Sequence, residues 1–407
     1  MEKKNVFRND NRIDYGVILP VFLLCLVGLA SLYVALFHSH NLAESANPIK
    51  GVLKQGVWYV FGVIAVAIIM RISSRMLWLL TPYIYGLGLV IMALLVRFYD
   101  PDIAAFTGSR NWFSFGAFTV QPAELMKIAM IMMLALVVTK HNGSYRERTL
   151  QTDGLLIGKM LAVTLPVIIL VLLQEDFGTM LVFLAIFGGI FLMSGISWKI
   201  VVPVIATFVV IGAGTIFLVL TDGGRAFLEN IGLFSEYQFK RIDAWLDPFH
   251  DVQGSSGQVA KAIMAIGSGG MFGKGFNVSD VYVPVRESDM IFSVIGENFG
   301  FVGSTFVILL YFILIYRMIR VCFDTNNEFY TYIATGIIMM ILFHVFENIG
   351  ANIGLLPLTG IPLPFISQGG SALLSNMIGI GLILSMRYHS VDQESETLKR
   401  GSRRSKR

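Results

Sequence analysis

Asp289 is the residue whose surroundings best suit it to move a proton. It ends the polar run Val283-Pro-Val-Arg-Glu-Ser-Asp289 and stands directly before the apolar stretch Met290-Ile-Phe-Ser-Val-Ile-Gly-Glu297. A carboxylate at such a border is partly desolvated, which raises its pKa toward the range a general base needs; Arg286 would oppose that shift. A helix N-cap explains the same residue about as well. A second pair, Glu124 and Lys127, lies in an apolar stretch that follows Gly108-Ser-Arg-Asn-Trp112 and Gln121-Pro-Ala-Glu. Three residues apart on one helix, they share a face and can pair. Ionisable groups at that depth point to function, against the alternative of a structural ion pair. Pro122 suits the first helical turn, and Trp112 alone would be an interfacial anchor. In Gln174-Glu-Asp-Phe-Gly-Thr179, Asp176 reads equally as a helix cap or a direct participant.

The remaining polar chemistry gathers between Asp222 and Asp289, a long Gly-rich run in an otherwise apolar chain. It carries Trp245-Leu-Asp-Pro248, Gln258 and Ala265-Ile-Gly-Ser-Gly-Gly-Met-Phe-Gly-Lys-Gly275, in which Ser268 and Lys274 sit among the glycines. Closely spaced glycines let backbone N–H groups approach an anion, and Lys274 would add a point charge for a phosphate. The spacing matches neither nucleotide-binding glycine template, and a flexible hinge accounts better for the glycines alone.

These residues must be positioned by membrane-spanning helices. Hydrophobic residues make up 55% of the 407 and charged residues 14%, where a soluble domain has about 25% charged; mean hydropathy is +0.70. The expected fold is an all-α integral membrane protein. Apolar segments long enough to cross a bilayer lie near 15–37, 55–72, 76–96, 122–139, 156–174, 177–194, 199–221, 290–316, 329–350 and 366–388. The count is about ten, with one long extracellular loop, 222–289, between the seventh and eighth. Lys3, Lys4, Arg8 and Arg12 precede a full-length apolar segment, which reads as a retained anchor and not a cleavable signal. Basic residues in the short loops favour one side and place both termini in the cytoplasm. Residues 1–388 form one polytopic domain and 389–407 a basic cytoplasmic tail, read as a disordered topology signal. Cys25 and Cys322 support neither a disulfide framework nor a cysteine metal site, and no nucleic acid is expected as partner.

At these residues the chain resembles the SEDS family of bacterial peptidoglycan polymerases. The matching pieces are GSRNW (108–112), QPAELMK (121–127), DFGT (176–179), AIGSGGMFGKG (265–275), SDMIFSVIGENFGFVG (288–303) and LLPLTGIPLPFISQGGSALLSN (355–376). They occur in family order across nearly the whole chain, and the length and final block look most like the RodA elongation branch. The resemblance implies ten helices and a glycosyltransferase that polymerises lipid II into β-1,4-linked glycan on the outer face of the cytoplasmic membrane, for elongation and shape. Its essential acid falls on Asp289, its membrane-facing pair on Glu124 and Lys127, and its loop glutamine on Gln258. The chain departs from common family residues at Asn111, Glu175, Lys261, Ala262 and Glu287.

That reaction joins an acceptor 4-hydroxyl to C1 of another glycan with inversion and releases undecaprenyl pyrophosphate. It needs a base, assigned to Asp289, and positive charge at the leaving group, for which Arg110, Lys127, Lys274 and Arg286 are candidates. A divalent cation, Mg²⁺ or Mn²⁺, bridging Asp289 and pyrophosphate is the alternative. With Trp112, Gln258, Ser268 and Glu124 these form the expected substrate-binding set. The resemblance also implies a class B penicillin-binding protein as partner. A lipid II flippase and a non-catalytic scaffold for that protein are the rival functions.

Overall fold

The computed structural model describes residues 13–39, 41, 45–116, 118–145, 147–230, 236–251, 257–325 and 327–404. The spanning helices are α1 (Tyr15–Phe37), α2 (Pro48–Ile69), α3 (Ser74–Phe98), α5 (Pro122–Ser144), α6 (Leu150–Leu173), α7 (Phe177–Met193), α8 (Trp198–Val219), α12 (Ile291–Phe323), α13 (Glu328–Asn352) and α14 (Gly370–Arg404). A short helix α4 (Pro101–Thr107) and a hairpin of β1 (Phe113–Phe115) with β2 (Phe118–Val120) fill the α3–α5 connection. Three amphipathic helices, α9 (Asp222–Asn230), α10 (Glu236–Leu246) and α11 (Gly257–Ser268), occupy the long connection before α12.

Every expected apolar segment forms a helix, and among the described residues nine are long and apolar enough to cross a membrane. The exception is α7, whose 17 residues extend about 26 Å, the short end of a bilayer span. Local chemistry fixes the starts. Asp14, Ser73, Asp100, Thr149, Asp176, Ser197 and Asn327 each accept a hydrogen bond from a free N–H of the helix they precede. Pro48, Pro101 and Pro122 sit in first turns, where a missing N–H does no harm.

Of the candidate spans, α5 and the spanning part of α14 are the most enclosed and α8 the least, with nearly all its apolar side chains facing outward. The two ends of the bundle differ. At one, Arg387 of α14 reaches Asp324 after α12 (3.2 Å) and Asp14 before α1 (3.8 Å). Arg148 there bonds Asp153 (3.1 Å) and the Ser194 carbonyl (2.7 Å). The long connection, Asp289 and Asp176 lie at the other. Helix α14 runs on to Arg404.

Two departures from regular helix shape the polar end. Helix α12 bends at Gly300 (φ 63°, ψ −157°), so the nine residues before it are a separate short segment. The segment between α13 and α14, 353–369, is irregular, yet its part 361–367 is mostly buried. Backbone at that depth must find its partners within the protein. Tyr59 donates to the Phe365 carbonyl (2.7 Å), Tyr311 to Pro364, Gln55 to Ser367 (3.4 Å) and Asn348 to Ile361 (2.8 Å). The irregular segment is thereby fixed by side chains from α2, α12 and α13.

Candidate active site

Asp289 stands where the long connection meets that fixed segment. Its carbonyl accepts from Asn348 Nδ2 (2.7 Å) and Asn352 Nδ2 (2.9 Å) of α13. The preceding carbonyls are clamped too: Ser367 Oγ donates to Ser288 (2.6 Å), and the Gln368 amide to Glu287 (2.9 Å). The residue that begins α12 is Met290, with no side-chain cap, so the N-cap explanation of Asp289 falls. Its carboxylate is left for other work. Burial pushes that carboxyl above the usual carboxylate range; a hydrogen bond with Ser288 and the charge of Arg241 pull the other way. The opposing cation is therefore Arg241 of α10, and not Arg286 as the sequence suggests.

Arg241 donates from Nη1 to the Leu358 carbonyl (2.8 Å), which brings the loop helix onto the Leu358-Thr-Gly360 turn. Gly360 there has φ +81°, and a Cβ built on it would lie 3.6 Å from Asp289 Oδ2 and 3.9 Å from both Arg241 Nη atoms. A carboxylate and a guanidinium thus flank one small space. Behind the turn, buried Glu347 of α13 accepts through Oε1 from the Thr359 amide (3.2 Å) and the Thr359 hydroxyl. Glu347, His344, Asn348 and Asn352 are polar residues inside an apolar span, a signal of function or of buried pairing that was available in the sequence. Arg241 carried no such signal, because its role depends on a turn far away in the chain.

The other expected residues fall into separate places. Lys127 Nζ lies 2.8 Å from Glu124 Oε2 and 2.9 Å from His344 Nε2, all three buried. His344 uses Nδ1 on the Met340 carbonyl (2.6 Å), leaving Nε2 to accept from the ammonium. Residues 344, 348 and 352 share a helical face, so one polar stripe on α13 runs from the Glu124–Lys127 pair to the Asp289 carbonyl. Arg110 sits in the open, 3.2 Å from Glu175 and over the Tyr99 ring. Half-buried Trp112 joins the α4 turn through its carbonyl, which accepts from the Asp100 amide (3.1 Å). Asp176 proves to be a cap: Oδ1 accepts from the Thr179 amide (3.0 Å), and Oδ2 gathers Asn111 (2.5 Å), Gln121 (3.0 Å) and the Thr179 hydroxyl (2.8 Å). It ties three sequence motifs together.

Gln258 of α11 donates to the Pro284 carbonyl (3.3 Å), steadying the approach to Asp289. Exposed Ser268 bonds its own helix at Ala265 (2.8 Å). Lys274 meets Asp280 (2.7 Å) and Glu297 (3.7 Å), and the first of these holds its ammonium above its ordinary value. Glu297 is eight residues beyond Asp289, about 12 Å along a helix. Arg286 is buried, donates to Ser279 (2.6 Å) and lies over the Tyr282 ring, with burial lowering its pKa. Of the cations named from the sequence, Arg286 is bonded only through Nη1, and among the described residues Arg241 lies beside Asp289.

The amides at the end of the glycine run are turned onto α12 and not left open to an anion. The Lys274 and Gly275 amides donate to the Glu297 and Asn298 carbonyls (3.0 and 3.2 Å), and the Phe301 amide to Gly270 (2.9 Å). The bend at Gly300 frees those groups, and the glycine corner satisfies them. A Cβ on Gly300 would overlap the Gly273 amide nitrogen, which explains glycine on both sides of the contact.

Comparison with known proteins places these features in context. Residues 16–392 match the family of FtsW, RodA and SpoVE, described as cell cycle proteins. The chain is 31% identical over 401 residues to a probable peptidoglycan glycosyltransferase FtsW of Enterococcus hirae, covering 96% of each chain. It is 30% identical over 336 residues to the peptidoglycan glycosyltransferase MrdB of Escherichia coli, covering 81% of this chain and 83% of that one. Among solved structures, it resembles a chain from work on the structural coordination of polymerization and crosslinking by a peptidoglycan synthase complex. The TM-score is 0.72 at 25% identity, over 93% of this chain and 98% of that one.

Proposed function

The chain belongs to the FtsW/RodA/SpoVE family and is a multi-pass bacterial membrane protein with peptidoglycan glycosyltransferase activity, and on that premise we propose that it polymerises lipid II at the outer face of the cytoplasmic membrane for elongation and cell shape. The observation that carries the proposal is the clamped Asp289, its carboxylate facing Arg241 across Gly360 at the end of the bundle opposite Asp14 and Arg387. Placing the basic end in the cytoplasm puts this site outside. The elongation assignment is supported by the RodA-like closing block 355–376; the identities to the FtsW and MrdB relatives are nearly equal and favour neither branch.

In the proposed step, Asp289 accepts the proton of the acceptor 4-hydroxyl as that oxygen bonds to C1 of the donor. The C1–phosphate bond breaks on the opposite face, and undecaprenyl pyrophosphate leaves with the electron pair. Holding both lipid-linked substrates in register supplies rate through orientation, which suits a site whose backbone is pinned at three consecutive carbonyls, those of Glu287, Ser288 and Asp289. Among the described residues no group of three or more His, Cys, Asp or Glu side chains is placed to hold a metal ion. A Mg²⁺ or Mn²⁺ in the reaction would thus take its ligands chiefly from pyrophosphate and water. A class B penicillin-binding protein is the proposed partner, in keeping with the synthase complex that supplied the similar chain.

The test is fluorescent lipid II with purified protein in liposomes, with and without a cognate transpeptidase, followed for both chain growth and transbilayer movement. Polymer formation is the expected result. Movement of lipid II without bond formation would replace the enzyme by a flippase, and neither activity even with the partner would leave a scaffold.

A further inference from the structure

We propose that Arg241 is a catalytic residue that receives the departing pyrophosphate, an assignment that rests on the glycosyl-transfer reading above. An inverting displacement has two sides: a base takes a proton at one, and negative charge develops at the other. Stabilisation is most effective from a donor already fixed where that charge appears. The described cations expected for this task lie elsewhere. Arg110 is on the surface with Glu175, Lys127 is enclosed with Glu124 and His344, Lys274 is with Asp280 and Glu297, and Arg286 is with Ser279 and Tyr282.

Arg241 has the required placement. Its two Nη atoms and Asp289 Oδ2 all lie within 4 Å of the point where a Gly360 side chain would begin, while reacting atoms in a productive complex stand roughly 3–3.5 Å apart. The guanidinium is anchored through Nη1 to the Leu358 carbonyl (2.8 Å), and that turn is itself held by Glu347 through Thr359. Glycine at 360 keeps the space between base and cation open. The pair also works in sequence. When Asp289 takes the proton it loses its negative charge as the pyrophosphate gains its own, so the field of Arg241 passes from the carboxylate to the leaving group. That interaction is stronger in the transition state than in the ground state, which is what raises a rate. A planar fork with paired donors suits phosphate oxygens better than a lysine would.

A structural role for Arg241, fastening α10 to the Leu358 turn, predicts loss of stability with no selective effect on pyrophosphate. The experiment measures binding of undecaprenyl pyrophosphate to the full-length, detergent-solubilised protein, alongside its thermal melting and its lipid II polymerisation. Arg241→Gln should weaken binding about tenfold or more, Arg241→Lys should fall between, and Asp289→Asn should bind at least as tightly as wild type. Affinity in Arg241→Gln equal to wild type overturns the assignment, and so does equal affinity in Arg241→Lys if the Gln variant does not fold. A wild type that binds the pyrophosphate but makes no polymer with its partner would overturn the glycosyl-transfer reading instead.

Discussion

At the scale of single residues, the proposed function depends on how firmly Asp289 is held and how its proton affinity is set. Burial raises its carboxyl and Arg241 lowers it. The basic form is lost as pH falls through the raised value, so the acid limb of kcat/KM for polymerisation should lie above about 4, the ordinary carboxylate range. A pH–rate profile with lipid II checks this, and an acid limb at or below that range contradicts it. Asp289 was legible because a carboxylate at the edge of an apolar run is unusual. Its freedom from capping was not, since the first turn of α12 is set by a backbone whose partners are Asn348 and Asn352 on another helix. Arg241 and Glu347 were invisible as a pair because the turn that joins them, close after Glu347, is far from Arg241 in the chain.

At the scale of elements, two features carry the site, the bend in α12 and the polar stripe on α13. Gly300 has a backbone conformation that costs an L-residue roughly 1–3 kcal/mol, and a side chain there also meets the Gly273 backbone. Gly300→Ala should therefore lower thermal stability in detergent by more than the conformational cost alone, measured against wild type. The Glu124–Lys127 pair makes a second prediction. Lys127→Met leaves a buried carboxylate unpaired and should cost about 3–5 kcal/mol. Adding Glu124→Gln should recover much of that loss, and a double-mutant cycle on thermal or denaturant unfolding reads the coupling. The sequence showed that these two residues share a face, but His344, which completes the buried group, sits on α13 and offered no spacing to find it. The contact made by the glycine corner was not legible for a related reason. Its spacing is that of close backbone contact, and only the bend at Gly300 reveals that the contact is with α12 and not with an anion.

At the scale of the whole molecule, the sequence was most informative, because hydrophobic length is a local property. All ten apolar segments became helices, with α7 the shortest. Grouping Asp14, Asp324 and Arg387 at one end leaves the Asp289 site at the other, and the basic loops assign the first to the cytoplasm. In a variant without Cys25 and Cys322, Ser268→Cys at the exposed end of α11 should react with a membrane-impermeant maleimide in intact cells. Labelling only after the membrane is opened would reverse the topology.

Those scales meet in one comparison: lipid II polymerisation by wild type and Asp289→Asn, each with the cognate transpeptidase, after equal melting temperatures show that both are folded. Asparagine keeps the shape and the backbone clamp but cannot accept the proton, so polymer formation should fall by about 100-fold or more. A folded Asp289→Asn protein that polymerises lipid II within a few-fold of wild type would contradict the assignment of this carboxylate as the base.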